Sequence, residues 1–156
     1  MAIVHLCLGS NLGNRENYFK KAMNEIENRI GPIVALSSLY ETEAWGYDSD
    51  NKFLNGCIAV NTALSPKDTL SQLKDIETLQ GRLKTAKNDY SDRVIDIDII
   101  FFDDLVLEIP GLTIPHPKMQ QRLFVLNPLF EIAPDYIHPV LKKTVRTLLS
   151  EINLQP

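Results

Sequence analysis

The run Val94-Ile95-Asp96-Ile97-Asp98-Ile99-Ile100 constrains this chain more than any other. Isoleucine at every second position is the period of a half-buried strand, and no helix can place Ile95, Ile97 and Ile99 on one side. The same alternation sends Asp96 and Asp98 to the opposite side. Side chains two residues apart leave a strand about 6.6 Å from each other, within reach of one or two hard cations. The apolar side therefore belongs in a core, and the acidic side in a cleft. The strand is predicted over residues 93–102.

Around it the chain alternates between strand and helix patterns. Residues 2–8 read as a short apolar strand that runs into the turn Gly9-Ser10-Asn11-Leu12-Gly13-Asn14. Asn14 then caps a helix whose Phe19, Ala22, Met23, Ile26 and Ile30 recur at helical spacing until Gly31-Pro32 stops it. Residues 33–40 and 53–62 read as strands, joined by a loop over residues 41–52 that is long for a hairpin and carries Trp45. Ser65-Pro66 opens a second helix with Leu70, Leu73 and Ile76 on its buried stripe. Glu77 falls on that stripe too, and a buried carboxylate needs a partner. Residues 81–92 are polar, mixed in charge and without period. A hairpin is predicted around Pro110-Gly111, and two helical patterns follow, over 118–130 and 144–152, punctuated by Pro128, Pro134 and Pro139. The order strand, helix, strand, strand, helix, strand suits an α+β sandwich of the ferredoxin-like kind: an antiparallel sheet with helices on one face.

Length and composition bound the function. A chain of 156 residues with 44% apolar and 23% charged residues is one domain, 1–156, with a core of its own. A net charge of −4 argues against a polyanionic surface as the main partner, so neither nucleic acid nor an acidic membrane is expected. No apolar run approaches the roughly 20 residues that span a bilayer, and the first residues lack a signal peptide's basic region, so a cytosolic monomer is expected. Cys7 and Cys57 sit in apolar stretches and read as small core residues.

The chemistry gathers near the aspartates. Two adjacent carboxylates repel, and magnesium between them would keep both ionised while taking phosphate oxygens as further ligands. Arg82, Lys84 and Arg93 lie close before the pair in sequence and supply the cations that clamp a phosphate. Phe53 and Asn55 share a strand face, an aromatic plate beside an amide that both donates and accepts. His116 is held between Pro115 and Pro117, with Arg122 and Phe124 close behind. Gly9-Ser10-Asn11 lacks the lysine of a P-loop and reads as a turn. A two-metal phosphohydrolase or nuclease would also use the Asp96 and Asp98 pair. A non-catalytic ferredoxin-like module would need basic sheet-face aromatics, and none are apparent.

Taken together, these pieces resemble the 6-hydroxymethyl-7,8-dihydropterin pyrophosphokinases of folate biosynthesis. The resemblance rests on Gly9-Ser10-Asn11-Leu12, Thr42, Phe53-Leu54-Asn55, Glu77 with Gly81-Arg82, Arg93 with Asp96-Ile97-Asp98, Pro115-His116-Pro117, and Pro128-Leu129-Phe130-Glu131-Ile132-Ala133-Pro134. It implies transfer of pyrophosphate from ATP to the pterin's hydroxymethyl group, with release of AMP. It further implies two Mg²⁺ ions on Asp96 and Asp98, with Arg82 and Arg93 acting on the transferred group. His116, Arg122 and Lys84 would contact ATP, and Thr42 and Asn55 the pterin edge, the ring lying between Phe53 and Phe124. Before Arg93 this chain reads Tyr90-Ser91-Asp92 where the family has an aromatic followed by Gly-Pro.

Overall fold

A computed structural model describes residues 1–43, 51–81 and 94–154. Among the described residues five strands form the main sheet: β1 (Ala2–Ser10), β2 (Ile33–Leu36), β3 (Tyr40–Thr42), β4 (Phe53–Thr62) and β5 (Asp96–Phe102). The path runs β2-β4-β1-β5, with β3 also pairing β4, and every pairing is antiparallel. β6 (Leu107–Ile109) and β7 (Leu112–Ile114) make the expected hairpin. The helices are α1 (Arg15–Arg29), α2 (Pro66–Leu79), α3 (Leu123–Ile132) and α4 (Val145–Asn153). This is the predicted ferredoxin-like order.

Local chemistry sets the boundaries. Asn14 Oδ1 accepts from Asn17 N–H and Ser65 Oγ from Asp68 N–H, caps of about 1 kcal/mol each. A Cβ on Gly31 would fall 1.9 Å from the Asn61 carbonyl oxygen, so only glycine lets α1 end that close to β4. The predicted strand over 33–40 is split, and Ser37 is the reason. Its N–H donates to the Cys57 carbonyl, while its hydroxyl accepts from Cys57 N–H. A side-chain oxygen thus replaces a ladder carbonyl, the chain leaves the sheet, and it rejoins at Tyr40.

Helices cover both faces of the sheet, not one. On the first, Val4, Leu6, Leu8, Ile58, Val60, Ile97 and Ile99 pack against Phe19, Ala22 and Ile26 of α1 and Leu73 and Ile76 of α2. On the second, Cys7, Cys57, Ile100 and Phe101 pack under Val125, Leu126 and Leu129 of α3 and Val145 and Leu148 of α4. A second apolar face was hard to anticipate because β1 and β4 present small residues there, Cys7, Cys57 and Ala59. Both cysteines are free and buried, as their apolar surroundings imply.

Two irregularities shape this second face. Leu6 pairs with Ile99 and His5 with Phe101, so Ile100 is an extra residue, and this bulge turns both Ile100 and Phe101 toward α3 and α4. Pro128 lies inside α3 instead of ending it. It has no N–H for the Phe124 carbonyl, and Cys7 Sγ, 4.0 Å away, donates there in its place.

Candidate active site

Coverage of the second face stops short. Past the cysteines, at the far end of β1 and β4 and the start of β5, a cavity of about 460 Å³ opens. Strand register builds its floor. Gly9 of β1 stands opposite Asn55 on one side and Asp96 on the other, and Tyr40 of β3 stands opposite the far side of Asn55. One row of side-chain positions, Tyr40, Asn55, Gly9 and Asp96, therefore crosses four strands. The next row is Cys57, Cys7 and Asp98.

Gly9 is the low point of that floor. A Cβ there would stand 3.0 Å from Asn55 Oδ1 and 3.4 Å from Phe53 Cδ1. The absence of a side chain leaves a slot between the amide and the carboxylate. Asn55 is buried, and its Nδ2 donates to Thr42 Oγ1 at 2.6 Å, which fixes which end of the amide faces β3. Thr42, Phe53, Asn55 and Phe124 all line the cavity, with Asp96, Asp98, His116 and Arg122. These eight sequence candidates thus meet in one place, although they come from β3, β4, β5, the segment leading into α3 and the first turn of α3.

β5 is the sheet's edge strand, and its outward amide at Ile97 is met by Glu77 Oε2 at 2.8 Å. This is the partner that a carboxylate on the buried stripe of α2 required. It anchors the Asp96-Ile97-Asp98 triplet from behind, so both aspartates stay half-buried on the cavity side.

His116 is tied to the same strand, since its N–H donates to the carbonyl of the bulged Ile100 at 3.0 Å. Burial, reinforced by the nearby Arg122 guanidinium, holds its imidazole pKa down to about 4. The ring is therefore neutral near pH 7. Nδ1 accepts from Lys118 N–H at 3.2 Å, which leaves the proton on Nε2 as a donor. The Arg122 guanidinium carbon lies 5.5 Å from the Phe124 ring centroid, a cation–π contact that keeps this cation against the cavity wall. Arg122 is itself buried.

Among the lining residues to which the sequence assigns no site role are Gly9, Lys74 and Lys118. In sequence Gly9 reads as part of a turn. Lys74 carried a readable signal, because residues 70, 73, 74 and 77 share one stripe of α2. Arg82, Lys84, Arg93 and Trp45 lie outside the described residues. At the rim, Arg15 joins the flanking segments, donating to the Lys52 carbonyl at 2.9 Å and pairing with Glu41 at 2.8 Å.

A cavity that sets a carboxylate pair beside basic and neutral donors at one end, and an amide between aromatics at the other, suits a phosphorylated nucleotide and a flat heterocycle. Comparison with known proteins identifies the family. Residues 5–134 match the family model of 7,8-dihydro-6-hydroxymethylpterin-pyrophosphokinase. The 2-amino-4-hydroxy-6-hydroxymethyldihydropteridine pyrophosphokinase of Aquifex aeolicus is 38% identical over 156 residues, covering 100% of this chain and 96% of its own. Its counterpart from Porphyromonas gingivalis is 43% identical over 141 residues, 89% of this chain and 95% of that one. Among solved structures, the wild-type HPPK-DHPS of Plasmodium falciparum superposes with a TM-score of 0.78 at 20% identity, over 96% of this chain and 44% of that one, a likeness of fold. No helix among the described residues is long and apolar enough to cross a membrane. On the family match and these full-length relatives, the chain belongs to the 7,8-dihydro-6-hydroxymethylpterin-pyrophosphokinases, enzymes of folate biosynthesis that use ATP.

Proposed function

We propose that residues 1–156 act as one cytoplasmic, magnesium-dependent pyrophosphokinase domain, working as a monomer, whose reaction takes place in the cavity over Gly9. The observation that carries this reading is the row Asn55, Gly9 and Asp96, a side-chain amide and a carboxylate on either side of a glycine. The pterin edge meets Asn55 and Thr42, and its ring lies between Phe53 and Phe124. Its hydroxymethyl group then points along the floor toward Asp96 and Asp98, where the ATP phosphates lie.

The donor set fits magnesium. Among the described residues no group of three or more His, Cys, Asp or Glu side chains gathers as a metal cage. Magnesium does not need one, because it is held by one or two carboxylates and completes its shell with water and phosphate oxygens. Asp96 and Asp98 would hold two such ions. Bound there, they would offset the phosphate charge and draw electron density from the β-phosphorus.

The chain's own residues do the rest. Asp96 and Asp98 fix where the triphosphate sits, braced by Glu77 through the Ile97 amide. His116 Nε2–H and the Arg122 guanidinium donate to nucleotide oxygens, with Lys84 beside them. Arg82 and Arg93 act on the transferred group. The substrate hydroxyl attacks the β-phosphorus, the bond to the α-phosphate bridging oxygen breaks, and AMP leaves. Such catalysis is mainly positioning and charge compensation.

The test is to mix protein, ATP, the reduced hydroxymethyl pterin and Mg²⁺ and to separate the nucleotides. AMP should appear in step with the pterin diphosphate, and chelation of Mg²⁺ should stop it. ADP with inorganic phosphate, formed without pterin, would favour a phosphohydrolase. Turnover unaffected by chelation would remove the metal role.

A further inference from the structure

The run Pro128-Leu129-Phe130-Glu131-Ile132-Ala133-Pro134 ends α3, and its one carboxylate lies outside the cavity. Glu131 is exposed, yet it is heavily used. Its Oε1 accepts from both the N–H and the hydroxyl of Ser38, each at 2.8 Å, and its Oε2 accepts from the Tyr40 hydroxyl at 2.6 Å. These bonds hold the Glu131 carboxyl below the usual range, the Tyr40 hydroxyl contributing most, and push the Tyr40 hydroxyl up. Three donors on one ionised acceptor make a stronger tie than an ordinary surface ion pair, and one of them is a backbone amide that cannot swing away.

What the tie joins is informative. Glu131 is seven residues after Phe124, so the two share a face of α3 about 10.5 Å apart along its axis. At the other end, Tyr40 stands opposite Asn55, and two residues later Thr42 accepts from the Asn55 amide. β3 has only three residues, and β4 is its ladder partner. Such a short strand gains much from a second attachment. Glu131 thus connects the helix that carries Phe124 to the strand that carries Thr42.

We propose that Glu131 is a positioning residue for the pterin: through Ser38 and Tyr40 it sets the spacing between Phe124 on α3 and the Thr42–Asn55 pair, and so the width of the slot that grips the ring. The inference rests on the reading that Asn55 and Thr42 bind the pterin. The carboxylates of the nucleotide end are carried by β5, which is braced by Glu77 and not by this tie.

Steady-state kinetics with each substrate varied in turn test it, using Glu131→Ala, Glu131→Gln and Asn55→Ala. Alanine suits a helix, so Glu131→Ala keeps α3 intact. It should raise KM for the pterin about fivefold while KM for ATP stays within roughly twofold. Glu131→Gln keeps an oxygen for Ser38 and a polar group for Tyr40, and should restore most of the loss. If Glu131→Ala leaves pterin KM unchanged, or raises both KM values alike, the proposal is overturned. If Asn55→Ala also leaves pterin KM unchanged, the placement of the pterin is at fault; if it raises that KM while Glu131→Ala does not, only the positioning role fails.

Discussion

One face of one sheet serves two purposes, and two residues along each strand separate them. At the closed end, Cys7, Cys57, Ile100 and Phe101 lie beneath α3 and α4. There His5 meets Tyr136 edge-on at 4.8 Å, and Phe101 stacks on Tyr136 at 4.7 Å. Beyond the row of Cys7, Cys57 and Asp98, the open end begins with the row of Gly9, Asn55 and Asp96, and the cavity lies over both. Strand alternation decides which face a residue joins. Helix coverage decides whether that face becomes core or site. Apolar side chains draw the helices down, and glycine with carboxylates leaves the sheet bare where a charged ligand can supply the missing contacts.

The contrast can be broken at either end. The largest effect expected on stability belongs to the closed end and appears in acid. Burial holds the His5 pKa down from 6.5 to about 4. Above pH 6.5 the ring is neutral in folded and unfolded chains alike, and stability does not depend on it. Between pH 6.5 and about 4 the unfolded chain binds a proton that the folded one refuses, so stability falls as pH falls. The loss from this group is on the order of 3 kcal/mol. Denaturant midpoints measured from pH 7 to 4 should show it, and His5→Gln should remove the share due to His5, leaving the shallower slope that His116 contributes over the same window. A curve unchanged by His5→Gln would mean that the closed end tolerates the imidazolium.

A smaller effect is expected at the open end from Gly9→Ala. The added methyl would meet Asn55 Oδ1 at 3.0 Å and crowd the Phe53 ring. Pterin KM should rise about tenfold, or ~1.4 kcal/mol, with the unfolding midpoint nearly unmoved. A melting loss with unchanged KM would instead make Gly9 a packing residue, and the two ends would be alike.

How legible these ends were in the sequence follows from what each is made of. Periodicity gave β4 its observed bounds and put Asp96 and Asp98 on the face opposite Ile95, Ile97 and Ile99. Hydrogen-bonding arithmetic flagged Glu77 as needing a partner, and the Ile97 amide is that partner. What stayed hidden was what leaves no local pattern. The Ile100 bulge arises from pairing with β1, not from its own neighbours. The slot over Gly9 is defined by the absence of a side chain, so only cross-strand register reveals it. Ser37 interrupts a strand because of a bond to a residue twenty positions away. The convergence of Phe53, Asn55, His116 and Arg122 was inferred from resemblance, and the chain's topology brings them to one cavity.

The central claim is that the carboxylates of the open end serve the reaction and not the fold. Asp98→Ala tests it most directly, with AMP formation and thermal unfolding measured on the same preparation. Turnover should fall by about 10⁴-fold, or ~5.5 kcal/mol of barrier, while the melting temperature shifts by no more than a few degrees. A variant that unfolds, or one that melts normally and still produces AMP at the original rate, would contradict the account.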